Sequence, residues 1–381
     1  MRWAALYLQD LWYGRRAGPE ARLVLALLTL PATVYALLMG LRARCYVNGL
    51  FRVNRLPRPV ISVGNITVGG TGKTPVTAWI ARFLQGQGLR VVVLSRGYGG
   101  ALEGQTTVVA DGQDILLTPD QCGDEPYLLA STIPGLMVVI GSDRYQAGCV
   151  AMEHLQPDIF ILDDGYQHMR LHRDLNILLM DCRCPVGNGR VLPAGPLREP
   201  EQAITRADLL LYTRCEDATR PDWQPPDQGV PTSRVRYQLT SFHCLASDRP
   251  VPLASLQQAR VAAFAGIAHP GTFFANLEQD GIQLIATLAL PDHSAYGQNL
   301  VEQLQAMVAE HAVDWLVTTE KDAVKLRHCA SEELPGLVAA QLELAFEDDV
   351  QIRQAVARVS NRPAVCYGMH PQEMVLTSKD T

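Results

Sequence analysis

Residues 64–75 read Gly-Asn-Ile-Thr-Val-Gly-Gly-Thr-Gly-Lys-Thr-Pro. Glycines at 69, 70 and 72 let backbone N–H groups converge on phosphate oxygens, and a helix opening at Lys73 adds the positive end of its dipole. In that arrangement Lys73 reaches the β- and γ-phosphates of a nucleotide, and the Thr74 hydroxyl holds Mg²⁺. Thr67, Val68, Gly69, Gly70, Thr71, Gly72, Lys73 and Thr74 are therefore the candidate phosphate-binding residues. The strict G-x-x-x-x-G-K-[ST] pattern needs Gly where Thr67 stands, so the loop is a G-G-x-G-K-T variant.

Acids supply the second half of such chemistry. Asp158-Ile-Phe-Ile-Leu-Asp163-Asp164-Gly165 is an apolar run ending in two carboxylates. An acid at the carboxyl end of a strand beside the phosphate loop faces the metal ion, so Asp163 and Asp164 join Thr74 as candidate metal residues. Gly165-Tyr-Gln-His168 follows, a polar segment that reaches a ligand or forms a surface turn. Gly123-Asp124-Glu125-Pro126 opens another helix. Its acids suit a helix amino terminus on dipole grounds, or one of them accepts a proton from an acceptor hydroxyl. Gly141-Ser-Asp-Arg144 and the Gly- and Pro-rich stretch from Gly187 to Pro200 are shaped for a ligand or are connectors.

These groups need a frame. Val60–Val63, Val91–Leu94, Met137–Ile140, Ile159–Leu162, Asn176–Met180 and Leu209–Leu211 read as short buried strands, with helical spacing between several of them. The expected fold is α/β: a P-loop NTPase-like, mostly parallel sheet flanked by helices. It should be followed by a smaller α/β domain and preceded by a membrane-associated helix. The expected divisions are a basic amino-terminal segment over 1–44, a nucleotide domain over 45–215, and a linker over 216–250 on its Pro-rich composition. A carboxy-terminal domain then spans 251–377, and a polar tail 378–381. In the second domain, 260–265, 282–290 and 314–318 read as strands and 271–279 as a helix. Thr319-Glu-Lys-Asp322 either reads a nucleotide base or caps a strand end.

Composition narrows the partners. Of 381 residues, 48% are apolar and 19% charged, which suits a folded protein with a sizeable core. The net charge of −6 gives no sign of nucleic-acid binding. The charge is uneven, however. Residues 1–60 carry nine Arg against Asp10 and Glu20, a basic end on an acidic body that points to an anionic surface. Leu23 to Leu41 runs without a charged side chain, with Pro31 near its middle and arginines on both flanks. It is long enough to cross a bilayer or lie in one leaflet. Nine Cys without a C-x-x-C pair read as free thiols of a reducing compartment.

Taken in order, these motifs resemble the tetraacyldisaccharide 4′-kinase (lipid A 4′-kinase) family. The resemblance extends through Ser95-Arg-Gly-Tyr98, Leu197-Arg-Glu-Pro200, Phe264 to Pro270, Pro291-Asp-His293 and Thr318 to Asp322, and covers nearly the whole chain. It implies ATP and Mg²⁺ as cofactors and phosphorylation of the 4′-hydroxyl of an acylated glucosamine disaccharide 1-phosphate. The place implied is the cytoplasmic face of the inner membrane, with membrane lipids as further partners. By the same resemblance Asp124 is the base, assisted by His293, with Lys73 on the transferred phosphate. Tyr98, Arg144, Gln167, His168 and Asn188 fall at polar positions near the substrate. With His293 in the second domain and Asp124 in the first, the site is expected in the cleft between them. The competing reading is a membrane-bound P-loop ATPase or GTPase switch without acceptor chemistry. The same loop variant occurs in ATPases related to the cell-division regulator family, which carry a second lysine where this chain has Val68.

Overall fold

The computed structural model describes residues 2–361 apart from 216–228, 248, 292–295, 327–332 and 335. Seven strands build the first unit: β1 (Val60–Asn65), β2 (Val91–Ser95), β3 (Thr107–Asp111), β4 (Met137–Ile140), β5 (Ile159–Asp163), β6 (Leu175–Asp181) and β7 (Leu209–Thr213). β1, β2, β4, β5 and β7 are buried at every position. That is why they read as unbroken apolar runs: helices cover both faces of the sheet. The strands lie in the order β3-β4-β2-β5-β1-β6-β7, parallel except for β3.

β1 therefore sits at the centre, between β5 and β6. Its register pairs Val63 with Asp163, so the loop leaving β1 and the acids ending β5 emerge side by side. Gly64 makes this approach possible. A Cβ there would stand 2.7 Å from the backbone nitrogen and the Cβ of Tyr166, closer than such atoms ever come.

The segment expected as a linker carries instead the longest of the described strands, β8 (Thr232–Cys244). Its first residues pair parallel with β7, and its remainder pairs antiparallel with β13 (Leu337–Phe346). The composition-based boundary failed here because β8 alternates buried and exposed positions and carries Arg, Gln, Thr and Ser on its open face. Between them come β9 (Arg249–Pro250, paired to β8), β10 (Val261–Ala265), β11 (Leu284–Ala289) and β12 (Trp315–Thr319). The second unit reads β8-β13-β12-β10-β11, with β13, β12, β10 and β11 parallel.

This topology aims the two units at each other. β8 leaves the first sheet beyond the carboxyl end of β7, and β13 runs back along it. The carboxyl ends of β10, β12 and β13 therefore face those of β1, β5, β6 and β7. Ligand crevices of open α/β sheets form at such ends.

The domain boundary expected over 251–377 also shifts. After β13 the chain returns to the first unit. The helix Val350–Ser360 buries Ile352, Val356 and Val359 in the same cluster as Ile61, Val76 and Ile177. Its apolar positions at i, i+4 and i+7 are those of an amphipathic helix.

At the other end, Pro19–Val47 is a single 29-residue helix that carries Pro31 inside it. The Thr29 and Thr33 hydroxyls donate back to the carbonyls of Leu25 and Thr29, at 2.7 and 2.9 Å. Only Ala21 and Ala32 are buried, while Leu27, Leu30 and Leu37 are about 70% exposed. The helix is long and apolar enough to cross a membrane. It is also tied to the first unit. Tyr35 Oη donates to the Arg198 carbonyl at 2.9 Å, and Arg42 to the Gln167 carbonyl at 3.1 Å. Arg190 donates to the Thr29 hydroxyl at 2.8 Å.

Candidate active site

The phosphate loop leaves β1 at Asn65 and enters the helix Lys73–Gln85 through Gly72, which caps it at φ 78°. A side chain at 72 would run into the Tyr237 hydroxyl. The loop is fastened on three sides. The Val68 N–H donates to the Pro196 carbonyl at 2.7 Å, and Tyr13 Oη reaches the Val68 carbonyl at 3.4 Å. Asn65 Nδ2 lies 3.4 Å from both the Thr67 hydroxyl and the Gly69 carbonyl. Thr213 donates to the Thr71 carbonyl at 2.9 Å, Tyr237 to the same oxygen at 3.3 Å, and Arg214 to the Gly70 carbonyl. The Val68 N–H, expected to bind phosphate, is thus spent on Pro196, while the carbonyls of Gly70 and Thr71, bonded outward, leave the N–H groups of Gly69 to Gly72 to a ligand.

Lys73 Nζ lies 3.5 Å from Asn65 Oδ1 and 3.6 Å from Asp164, its side chain 12% exposed. Asp164 also accepts from Arg198 Nη1 with both oxygens, at 3.2 and 3.0 Å. Burial works against its charge, but Lys73 and Arg198 outweigh burial and hold the pKa below the ordinary value. Asp164 stands at φ 52°, a conformation that Asp tolerates better than most residues and that marks many functional turns. Its neighbour Asp163 is 2% exposed and accepts from the Thr77 hydroxyl at 3.2 Å. Burial, then Glu125 and Asp164, push the Asp163 carboxyl up. Thr77 lies one turn beyond Lys73 on the same helix, and this spacing was a signal available in the sequence.

A hard cation fits here. Mg²⁺ is commonly held by one or two carboxylates completed by phosphate oxygens and water. Two adjacent carboxylates beside the Thr74 end of a helix supply that donor set. Among the described residues no group of three His, Cys, Asp or Glu could hold a metal by itself, so the remaining ligands would come from the nucleotide and solvent.

The other expected residues divide by position. Arg144 opens the helix Arg144–His154, is 4% exposed and donates to the Gly141 carbonyl. Burial lowers its pKa to about 10 against the pull of Asp163 and Asp164, so it stays a cation behind the two acids. Its Nε has no partner. Gln167 donates to the Asn65 carbonyl at 2.8 Å and thus braces the start of the loop. Asn188 turns inward: its amide donates to the Ala194 carbonyl at 2.9 Å and accepts from the Arg190 N–H at 3.1 Å, which shapes the Gly- and Pro-rich loop. Glu199 and Arg206 close the end of that loop as a buried pair, with contacts of 2.8 and 2.9 Å. Tyr98 follows β2 in a turn and is 62% exposed. His293 lies outside the described residues.

Burial, reinforced by the Arg144 guanidinium, holds the His168 imidazole down at about 4. An unfolded histidine binds its proton near pH 6.5. Between these values the unfolded chain holds the extra proton, so His168's contribution to stability is complete above pH 6.5. It is lost as pH falls towards 4. His168→Gln should therefore shrink the stability difference between pH 7 and pH 4.5 by about 2–3 kcal/mol. Denaturant unfolding at both pH values reads this directly, and an unchanged difference would assign the titration elsewhere.

Asp124 opens the helix Asp124–Thr132 after Gly123, which stands at φ 90°. It meets Lys325 of the second unit at 2.9 Å. Asp322, which the sequence left as base reader or cap, is fully buried and takes the Gly266 N–H at 2.9 Å and the Thr319 hydroxyl at 2.7 Å. It therefore caps the end of β12. A different region offers space for a nucleoside. A cavity of 410 Å³ beside the phosphate loop is lined by Arg183, Arg214, Tyr237, Thr272 and Asn276, at the junction of the two units. Neither Lys325 nor this cavity carries a local sequence signal, because each is made by residues far apart in the chain.

Similarity to known proteins bears on the family and the fold. The family profile of LpxK, tetraacyldisaccharide-1-P 4′-kinase, matches residues 24–361. The tetraacyldisaccharide 4′-kinase of Geobacter metallireducens is 52% identical over 338 residues, covering 89% of this chain and 99% of that protein. The Pelobacter propionicus enzyme of the same name is 51% identical over 352 residues, covering 92% and 97%. The crystal structure of LpxK from Aquifex aeolicus in complex with ATP superposes with a TM-score of 0.73 at 33% identity, covering 88% of this chain and 99% of that one. Phosphate loop, paired acids, helix-borne Asp124 and apolar amino-terminal helix thus stand in a chain that belongs to the tetraacyldisaccharide-1-phosphate 4′-kinase family.

Proposed function

We propose that this protein transfers the γ-phosphate of ATP to the 4′-hydroxyl of a tetraacylated glucosamine disaccharide 1-phosphate at the cytoplasmic face of a membrane. The observation that carries the reading is the convergence of Lys73, Asp163, Asp164 and the Gly69–Gly72 N–H groups at the carboxyl ends of the central strands β1 and β5, with Asp124 on a neighbouring helix.

The Gly69–Thr74 backbone receives the triphosphate, and Lys73 moves from Asp164 to the γ-phosphoryl oxygens. Thr74, Asp163 and Asp164 would hold Mg²⁺, which would offset negative charge on the transferring phosphoryl group. Asp124 takes the proton of the attacking hydroxyl as the new O–P bond forms and the bond to the ADP oxygen breaks. The cavity lined by Arg214 and Tyr237 takes the nucleoside. The family resemblance, rather than a contact in the fold, assigns Arg144 and His168 to the acceptor and His293 to the support of Asp124. The helix Pro19–Val47, bonded to the Arg198 and Gln167 carbonyls, would present the loop to a lipid acceptor at the bilayer surface.

The test is transfer of labelled γ-phosphate from ATP onto the acylated disaccharide 1-phosphate in detergent micelles. Labelled lipid is the expected product. A folded, ATP-binding protein that hydrolyses ATP and labels no lipid would move the assignment to the switch ATPase.

A further inference from the structure

The helix Glu320–Leu326 of the second unit packs on the helix Asp124–Thr132 of the first. At their meeting point the Lys325 ammonium stands 2.9 Å from the Asp124 carboxylate, with side chains 8% and 19% exposed. A pair so sheltered differs from the solvated surface pair that contributes little. Removing one partner leaves the other charge stranded.

Lys325 is itself held in place. Its ammonium lies 4.7 Å from the centroid of the Tyr296 ring, a favourable cation–π contact. The Tyr296 hydroxyl donates to Asp322 at 2.6 Å. Asp322 is in turn fixed by Gly266 and Thr319, at the ends of β10 and β12. A continuous set of contacts thus runs from the second unit's sheet to the Asp124 carboxylate. One turn earlier, Lys321 reaches Glu125 at 3.9 Å, so the two helices meet through two lysine–acid pairs.

We propose that Lys325 is a positioning residue for Asp124, fixing the orientation of the proton-accepting carboxylate and making the assembled base depend on docking of the second unit. This rests on Asp124 as the base. Lys325 contacts the Asp124 carboxylate and is given no proton or phosphate to carry. Its effect passes through the carboxylate, so it acts on turnover and leaves nucleotide binding to the phosphate loop.

Steady-state kinetics of the full-length protein in micelles tests this with Lys325→Met, Lys325→Arg, Asp124→Asn and the double variant Asp124→Asn/Lys325→Met. Lys325→Met should lower kcat by roughly tenfold or more, the scale of a displaced reacting group, with the KM for ATP changed less than about threefold. Lys325→Arg should restore most of the loss. In the Asp124→Asn background, Lys325→Met should cost nothing further, because two residues acting through one group are not additive. Normal turnover in Lys325→Met, an equally slow and folded Lys325→Arg, or additive losses in the double variant would each overturn the proposal. Should Lys325→Met fail to fold, Lys325→Gln takes its place with the same expectations. Full turnover in Asp124→Asn is a different pattern, since it removes the base assignment itself.

Discussion

Lys73→Ala is expected to lower kcat for phosphate transfer by roughly 10³-fold or more, about 4 kcal/mol of transition-state stabilisation, while the protein stays folded. The argument is electrostatic. The transferring group carries spread negative charge, and Lys73, only 12% exposed, is the loop's own cation. Few waters could replace its charge in that setting. The fold should survive because Asp164, the acid Lys73 leaves behind, keeps both contacts with Arg198. The Lys73 side chain is also no part of the apolar core that seats its helix. Turnover measured beside thermal unfolding and ATP binding separates these effects. A folded variant within tenfold of wild-type turnover would remove Lys73 from the transition state.

Asp124→Asn is expected to lower kcat by 10²–10⁴-fold, the usual range for loss of a general base, with KM for ATP nearly unchanged. Asparagine keeps the shape of the side chain and can still open the helix, so Gly123 and the turn before it need not move. It lacks the charge and basicity to take a proton. The variant should still bind ATP and any metal that wild type binds, since Lys73, Thr74 and Asp163 are untouched. Turnover within threefold of wild type in the folded variant would assign the proton to another group.

The sequence made some layers plain and hid others for physical reasons. Strands buried on both faces, such as Val91–Ser95, have no choice but to be apolar, so they read directly as strands. The strand, glycine loop and helix around Lys73 read equally well as local structure, because a turn with positive φ at Gly69 and Gly72 needs glycine there. β8 escaped notice because its outer face is polar and its neighbours come from two different sheets. The helix Val350–Ser360 had a legible period, yet nothing local says that it returns to the first unit. Asn188 had the type and setting of a ligand-binding residue, but its amide is spent inside its own loop. Lys325 stands in no nucleotide-binding motif, and only the tertiary fold brings it to Asp124.

The chain passes between the units twice, outward along β8 and back along β13, and the two strands are hydrogen-bonded to each other over most of their length. A lone connecting peptide would let the second unit swivel about any axis. A paired ribbon resists in-plane shear and torsion, since both would break the ladder, and it yields readily only by flexing across its pleat. The second unit is in this sense an insertion on a stiff strap, held at its far side by the Lys325–Asp124 and Lys321–Glu125 pairs. Such a restraint makes approach to the phosphate loop repeatable from one catalytic cycle to the next. Substitutions along the strap would therefore be felt at the phosphate loop as well as in the packing of the second unit.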